Sequence, residues 1–305
     1  MTHNRIAFIG AGRLARVLAN AWAARGEHIT VIASRRLSSA QAIANTLRDC
    51  IATTTAQDAV DQSDLVFLTV PDDAIASTTH ALRWRAGQSV IHCSGATELS
   101  HLEHAKQHGA HVGGMHPMQT FADPEAALAS LPGCTFALEA EAPLYDQLER
   151  MACSIGGVPL RLPPGARARY HAAGGFASQF VNALLNEGIQ IWRSFGADPQ
   201  QAERALLALL KGTVASIERT GLAGSLAGPV SRGDIGTVKQ HIDAMHTLPA
   251  ETAQLYALLC LRTVELAVLS ERITAQQANA FIEQLKPLLS DSMNETMVIP
   301  LTHIS

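Results

Sequence analysis

The strongest constraint on the fold is near the start of the chain, where an apolar run leads directly into a glycine-rich turn. Residues 5–9 read Arg-Ile-Ala-Phe-Ile, and residues 10–15 read Gly-Ala-Gly-Arg-Leu-Ala ahead of an alanine-rich helical run. Strand, Gly-x-Gly-x-x-Ala and helix in this order predict the first unit of a dinucleotide-binding sheet.

Each small residue of this turn has a role in that arrangement. Gly10 permits the tight turn, Gly12 lets a pyrophosphate approach the backbone, and Ala15 lets the helix pack closely on the strand. The first helical turn presents free N–H groups to the phosphates. The predicted cofactor-binding residues of the turn are Gly10, Gly12, Arg13 and Leu14.

The second apolar strand, residues 29–33, decides between the two nicotinamide cofactors. An Asp or Glu at its end would accept a hydrogen bond from the 2′-hydroxyl of NAD, but this strand ends in Ser34, Arg35 and Arg36. Arginine binds a 2′-phosphate bidentately and serine donates to it, whereas a carboxylate would repel it. We predict NADP(H) as the cofactor; the alternative is a degenerate unit that binds no nucleotide.

Composition limits the classes of binding partner and the cellular compartment that fit this chain. The 305 residues suggest two domains, and 47% hydrophobic with 16% charged residues is ordinary for a globular protein. A net charge of −4, no basic block and few aromatic residues argue against nucleic acid. No apolar run is long enough to span a bilayer, and no signal-peptide layout precedes the first strand. The five scattered cysteines indicate free thiols in a reducing, cytoplasmic location.

Short apolar runs alternate with helical patterns through the first half of the chain. Strands are predicted at residues 5–9, 29–33, 65–69, 89–93, 111–115, 135–138 and 158–162. Helices are predicted between them at residues 13–25, 38–47, 73–82, 100–108 and 143–155. Continuous apolar strands separated by helices predict a parallel sheet that is covered on both faces.

The pattern changes at Pro163-Pro164-Gly165, a credible hinge. Only helical periodicity follows, at residues 166–195, 199–220, 235–245, 250–269 and 274–289. The predicted fold class is therefore α/β, with an N-terminal Rossmann dinucleotide-binding domain over residues 1–163 and a C-terminal all-α substrate domain over residues 164–305.

Candidate catalytic residues follow the strands, because such sheets bind ligands at their carboxyl ends. Val70 and Pro71 would cover the ribose next to the nicotinamide, and Ser94 would face both the ring and the substrate. The alternative for Ser94 is a turn residue bonded to its own backbone. His116 ends a glycine-rich strand and could supply the proton that hydride reduction requires; the alternative is a histidine bonded into the domain interface.

Two helical-domain segments add further candidates. His171, Gly175 and Gln179 are four residues apart, which predicts one shared helix face. Gly174 and Gly175 are unfavourable inside a helix, which indicates close approach by a ligand or another backbone. In the loop that follows, Arg232 could bind a substrate carboxylate bidentately, or could instead form a salt bridge with Asp234.

A run of four histidines needs a separate assessment. His101, His104, His108 and His111 have a spacing that metal ligands on one helix can have. They lie among Glu and Lys residues in a polar segment, and His111 falls beyond a glycine, so we interpret the run as a solvated face and predict no metal.

These segments, in this order, resemble the bacterial Rossmann-like proteins with a DUF2520 domain, a branch near the 6-phosphogluconate and hydroxyacid dehydrogenases. The resemblance spans about residues 5–269. It is carried by the Gly-x-Gly-x-x-Ala turn together with residues 92–95 (His-Cys-Ser-Gly), 116–121 (His-Pro-Met-Gln-Thr-Phe), 170–173 (Tyr-His-Ala-Ala) and 227–234 (Ala-Gly-Pro-Val-Ser-Arg-Gly-Asp).

The resemblance implies an NADP-dependent oxidoreductase of a small molecule, a homodimer formed through the helical domain. Some similar proteins are regarded as an alternative type of ketopantoate reductase, which implies a 2-keto or 2-hydroxy acid. The His-Pro-Met segment is also similar to that of prephenate dehydrogenases, where the histidine lies at the active site. Related hydroxyacid dehydrogenases place a lysine one turn before an asparagine, where this chain has Gly175 and Gln179.

Two functional hypotheses remain open from the sequence. The first is an NADP(H)-dependent reductase of a small carbonyl or imine compound, whose proton comes from His116 or His171 because the family lysine is missing. The second is a non-catalytic NADP(H)-binding redox sensor. The polar residues expected near the nicotinamide favour the reductase, since a sensor needs no proton donor.

Overall fold

The computed structural model describes residues 4–289, and these contain one sheet of eight strands. The strands are β1 (Arg5–Ile9), β2 (His28–Ala33), β3 (Ile51–Thr53), β4 (Leu65–Leu68), β5 (Ser89–His92), β6 (His111–Pro117), β7 (Thr135–Ala140) and β8 (Val158–Arg161). Their order across the sheet is β3-β2-β1-β4-β5-β6-β7-β8. The predicted α/β class with an N-terminal Rossmann domain is confirmed.

The prediction of a wholly parallel sheet is wrong at one place, since β6 and β7 are antiparallel. Seven of the strands match predicted ones, whereas the three-residue strand β3 was missed. Its Ile-Ala-Thr segment is too short to show a periodicity.

Eight helices accompany the strands in this part of the chain, in addition to short 3₁₀ turns. They are α1 (Arg13–Ala23), α2 (Leu37–Ala44), α3 (Ala56–Asp61), α4 (Ile75–His80), α5 (Glu103–Gln107), α6 (Pro124–Ala129), α7 (Leu144–Ser154) and α8 (Arg167–Phe176). The short helices α3 and α6 were not predicted. The start of α6 did carry a signal, because Asp123 accepts from the backbone N–H groups of Glu125 and Ala126 and a proline follows it.

Alternating residues of the strands fill two separate cores, one on each face of the sheet. On β1, Ile6 and Phe8 belong to one core and Ala7 and Ile9 to the other. In the first core Phe8 stacks on Phe67 with ring centroids 5.3 Å apart. The buried indole of Trp22 on α1 completes that cluster and donates to the carbonyl of Met151 on α7. The sheet is thus covered on both faces, as expected.

The chain divides into two compact units, Met1–Gln179 and Phe180–Ser305. The change from strands to helices does occur beyond β8, near the predicted boundary after residue 163. The first compact unit, however, also includes α8. The residues of α8 therefore belong with the sheet and its strand ends.

The second unit is helical over its described residues. It contains α9 (Gln179–Ser194, whose first residue still belongs to the first unit), α10 (Pro199–Ser225), α11 (Ile235–Met245), α12 (Ala250–Leu269) and α13 (Ala275–Leu285). Its core includes Val238, Leu261, Val264 and Phe281 from the last three helices. Gly221, with φ of +72°, interrupts α10 just after the predicted end at residue 220.

The helix α12 is long and apolar enough, on length and composition alone, to cross a membrane, so the expectation that no apolar run has this length is wrong. It buries Cys260, Leu261 and Val264 in the core of its unit. Core helices of this kind pass the same test, so the helix is weak evidence for a span.

Candidate functional site

The glycine turn lies at the carboxyl end of β1 in the predicted conformation. Gly10 has a φ of +110°, and a Cβ there would lie 2.5 Å from the carbonyl oxygen of Thr69. Gly12 begins α1 as an N-cap without a side-chain hydrogen bond, and nothing lies within 4 Å of the position of its missing Cβ. The helix start is therefore open for a phosphate to approach its N–H groups.

Thr69 lies beside this turn and was not singled out from the sequence. It follows β4, and its hydroxyl donates to the carbonyl of Gly10 at 2.8 Å while its N–H donates to the carbonyl of Ile9 at 2.9 Å. The adjacent strand thereby holds the turn in shape. Val70 and Pro71 come directly after it, at the same edge of the sheet.

The end of β2 presents the predicted basic segment. Arg35 and Arg36 are exposed, and the hydroxyl of Ser34 accepts a hydrogen bond from the N–H of Arg36 at 3.4 Å. The guanidinium of Arg13, in contrast, donates to the carbonyl of Ala122 at 3.3 Å. The open helix start and this exposed basic segment fit a phosphorylated dinucleotide such as NADP(H).

Ser94 lies in the loop after β5, and its hydroxyl is engaged by its neighbours. It donates to Oδ2 of Asp72 at 2.6 Å and accepts from the N–H groups of Ala96 and Thr97 at 3.2 and 2.9 Å. The hydroxyl of Thr97 is 2.8 Å away. These bonds match the alternative in which Ser94 shapes its own turn, and a contact with substrate stays a prediction.

His116 and His171 are brought together at the carboxyl ends of β5 and β6. Their rings lie 5.3 Å apart in an edge-on arrangement. Nδ1 of His116 is 3.1 Å from the hydroxyl of Tyr170, the residue before His171 on α8. A Cβ on Gly95 would lie 2.9 Å from both Nε2 of His116 and Cγ of His171. Only glycine leaves both rings in place.

The two histidines differ in their environment. Burial, followed by the charges of His171 and Arg167, lowers the pKa of His116 to about 4, so its imidazole is neutral at pH 7. Burial raises the pKa of Tyr170 to about 12, so its phenol stays protonated. The phenol donates either to Nδ1 of His116 or to the carbonyl of His116 at 3.4 Å. His171 is exposed and can exchange protons with water.

The predicted shared face of His171, Gly175 and Gln179 is wrong for Gln179. The helix α8 ends at Phe176, where Ala177 and Ser178 donate to the carbonyls of Gly174 and Gly175 instead of continuing the helix. Gln179 begins α9, so its direction is no longer that of His171. The close approach indicated by the paired glycines is present, because a Cβ on Gly174 would lie 2.9 Å from Sδ of Met118.

Arg232 lies in the second unit, in a short 3₁₀ turn, and is exposed. Its predicted alternative, a salt bridge with Asp234, is not formed within 4.0 Å in the described part of the chain. Asp234 instead caps α11 by accepting from the N–H and hydroxyl of Thr237, and these bonds lower its pKa.

The histidine run forms ring contacts. His104 contacts both His80 and His108, with centroids 4.6 and 4.5 Å apart. Over residues 4–289, no group of three or more His, Cys, Asp or Glu side chains is placed to hold a metal ion. All five cysteines are free thiols.

Two family models match the chain. Residues 5–95 match the coenzyme F420-dependent NADP oxidoreductases, and residues 134–263 match a domain of unknown function, DUF2520. The predicted resemblance and the predicted NADP(H) cofactor are thus confirmed. No curated protein matches the chain.

Solved structures with the same fold are numerous. The crystal structure of TM1727 from Thermotoga maritima is 27% identical with a TM-score of 0.72, covering 88% of this chain and 100% of that one. A reductive aminase from Aspergillus terreus, in complex with NADPH and ethyl-5-oxohexanoate, is 15% identical with a TM-score of 0.59 and covers 97% and 95%. The 1-pyrroline-5-carboxylate reductase of Streptococcus pyogenes is 16% identical with a TM-score of 0.55 and covers 93% and 98%.

Proposed function

Because residues 5–95 match the coenzyme F420-dependent NADP oxidoreductases and residues 134–263 match DUF2520, we propose that the chain reduces a small carbonyl or imine compound with NADPH. A 2-keto acid of the ketopantoate type is the first substrate to test, and a cyclic imine the second. The observation that carries the proposal is the meeting of His116, Tyr170 and His171 around Gly95, at the same sheet edge as the glycine turn.

Sheet topology supports the placement of these groups. The strands β1, β4, β5 and β6 are neighbours and all parallel, so their carboxyl ends share one edge. With about 4.8 Å between strands, the glycine turn and His116 are separated by roughly 14 Å across the sheet. An extended dinucleotide bound by its pyrophosphate at Gly12 can reach that far along the edge.

A cofactor held at this edge by the glycine turn and the basic end of β2 would supply the hydride for the carbonyl or imine carbon of the substrate. The substrate oxygen or nitrogen must also gain a proton. His116 is neutral at pH 7 and donates a hydrogen bond from Nε2 when Tyr170 donates to its Nδ1. We assign the orienting hydrogen bond to His116 and the proton transfer to His171, whose exposed ring can be reprotonated from water.

Gln179 and Arg232 are proposed to bind the substrate. The guanidinium of Arg232 is exposed and forms no ion pair with Asp234, so it can bind a carboxylate bidentately. We further propose a cytoplasmic location, on the ground of the free cysteines.

The test is NADPH oxidation by the purified protein against 2-keto acids, ketopantoate included, and cyclic imines, with NADH in parallel. Turnover of one class with a preference for NADPH is the expected result. Replacing His116 or His171 with alanine should then reduce turnover while leaving NADPH binding intact. NADPH binding without turnover across the panel would instead favour a redox sensor.

We also propose that the protein is a homodimer formed through α9 and α10. The helix α9 has no buried residue and α10 buries only Ala202 among the described residues. Leu184, Leu207, Leu209 and Leu222 are 40–68% exposed along these helices. A second copy of the chain can cover this exposed apolar surface, because a two-fold contact brings the same surface of both copies together. The second copy is also present at the same concentration as the first.

Light scattering on the purified protein tests the dimer. We expect twice the chain mass for the wild type, and a shift toward the monomer for Leu209→Glu with Leu222→Glu. Glu203→Ala, a change at an exposed polar position of α10, is the matched control. A monomeric wild type at high micromolar concentration would contradict the proposal.

A further inference from the structure

Arg167, the first residue of α8, is an arginine with no solvent exposure. Its Nε donates to Oε2 of Glu139 on β7 at 2.6 Å, and its Nη1 donates to the carbonyl of Ser94 at 3.1 Å. One guanidinium therefore connects α8, β7 and the loop after β5.

The strands leave room for this side chain at one position. Gly114 on β6 pairs with His92 on β5 and with Glu139 on β7, so the three residues lie side by side across the sheet. A Cβ on Gly114 would clash with the guanidinium of Arg167. Arg167 thus lies over Gly114, flanked by His92, whose pKa is lowered by burial to about 3, and by the Glu139 carboxylate that balances its charge.

The position of Arg167 on α8 links it to the site. Tyr170 and His171 follow it by three and four residues, which places them one helical turn further along the same side. Both contact His116 on β6. Any rotation or translation of α8 at Arg167 therefore moves both of these side chains relative to His116.

We propose that the buried Arg167–Glu139 pair positions α8 and the Ser94–Gly95 loop, so that Tyr170 and His171 meet His116 in the reactive arrangement. This inference rests on the proposed reductase function and makes Arg167 and Glu139 positioning residues. Both contacts use the planar geometry of the guanidinium, with one N–H on the carboxylate and another on the loop carbonyl. Lysine has a single ammonium and cannot reproduce that geometry.

Stability alone is a weak reason for this pair. Replacing both partners of a buried ion pair with apolar residues is often neutral or stabilising, whereas removing one partner leaves an uncompensated charge. Both ring nitrogens of His92 and Nη2 of Arg167 also have no hydrogen-bond partner within residues 4–289. The arrangement leaves polar groups unsatisfied and yet holds one fixed geometry, as expected of a positioning device.

Two variants separate positioning from folding. Arg167→Lys keeps the positive charge that acts on His116, but it does not keep the paired hydrogen bonds to Glu139 and to the carbonyl of Ser94. The double variant Arg167→Met with Glu139→Leu removes both charges together. Arg5→Met is the matched control, because Arg5 forms an exposed ion pair with Asp64 in the same unit. Thermal unfolding, NADPH binding, kcat and KM are measured for each protein. The titration of His116 is followed by NMR, and its signal is assigned by its absence in His116→Gln.

For Arg167→Lys we expect folding and NADPH binding close to wild type. Its kcat should fall by up to about 100-fold, a loss that a displacement of about 1 Å in a reactive group can cause. The titration midpoint of His116 should rise toward that of an ordinary histidine, because water reaches a ring that α8 no longer covers. The double variant should unfold close to the wild-type temperature and show the same loss of kcat, and Arg5→Met should match the wild type throughout.

Wild-type kcat together with an unchanged His116 titration in Arg167→Lys would overturn the inference, whatever the double variant does. The NMR measurement needs no substrate. If the wild type reduces no compound of the panel, the proposed function fails, but the His116 titration still decides whether the pair positions α8.

Discussion

Gly95→Ala is the sharpest single perturbation of the proposed site. Gly95 has no positive φ, so alanine can adopt its backbone conformation, and the effect of the change is steric. The new Cβ would lie 2.9 Å from Nε2 of His116 and from Cγ of His171, with Nδ1 of His171 closer still. Favourable contacts between such atoms begin at about 3.5 Å. His171, on the exposed side, must therefore withdraw by about 1 Å.

The expected loss of kcat follows from that displacement of His171. A misplacement of about 1 Å in a reacting group lowers the rate about 100-fold, which corresponds to about 2.7 kcal/mol of transition-state stabilisation. NADPH binding should change little, because the glycine turn and the basic end of β2 are untouched. We expect kcat to fall about 100-fold and the dissociation constant of NADPH to stay within about twofold.

The assay is NADPH oxidation with the best substrate of the panel, together with NADPH binding by fluorescence. Gly236→Ala is the control, since its Cβ would have ordinary contact with Asp234 at 3.7 Å and it lies in α11. Wild-type kcat in Gly95→Ala would refute the reasoning, because the two histidines could then not be the reactive pair that the loop holds in place.

Three other outcomes are expected. Arg35→Ala combined with Arg36→Ala should reduce the preference for NADPH over NADH by about ten- to hundredfold, which is the loss expected for one charge-assisted hydrogen bond of about 1.5–3 kcal/mol; binding titrations with both cofactors measure it. Thr69→Val should weaken NADPH binding about three- to tenfold by releasing the carbonyl of Gly10, measured by the same titrations. Burial lowers the pKa of His92 to about 3, so the unfolded chain binds more protons below pH 6.5 and stability falls as the pH falls. Between pH 7 and pH 4.5, the free energy of unfolding in urea should therefore fall by about 2.5 kcal/mol less in His92→Leu than in the wild type.

The parts of the fold that the sequence predicts are those with local signals. The turn at Gly10 and Gly12 follows from adjacent residues, and so does the basic end of β2. His116 could be placed at the sheet edge because an apolar strand ends there. Each of these inferences needs only a stretch of fewer than about fifteen consecutive residues. It also uses the rule that ligands bind at the carboxyl ends of parallel strands.

The parts that the sequence does not predict depend on contacts between distant segments. Glu139 precedes Arg167 by 28 positions and Asp72 precedes Ser94 by 22, and no periodicity joins either pair. The break between α8 and α9 was also missed, because the apolar pattern of residues 166–195 continues through it.

Ser94 shows the limit of assigning a functional role from residue type alone. A serine at a strand end near a nicotinamide is compatible with binding a substrate and with shaping a turn. In the structure, the hydroxyl of Ser94 accepts from two backbone N–H groups and donates to one carboxylate. A substrate oxygen would therefore have to replace Asp72 as the acceptor, or contact a hydroxyl whose hydrogen bonds are already made. Gly95, one residue later, has no functional group, yet the absence of its side chain is what lets two histidines meet. The chemistry of this site is therefore decided as much by which positions leave space as by which positions carry reactive groups.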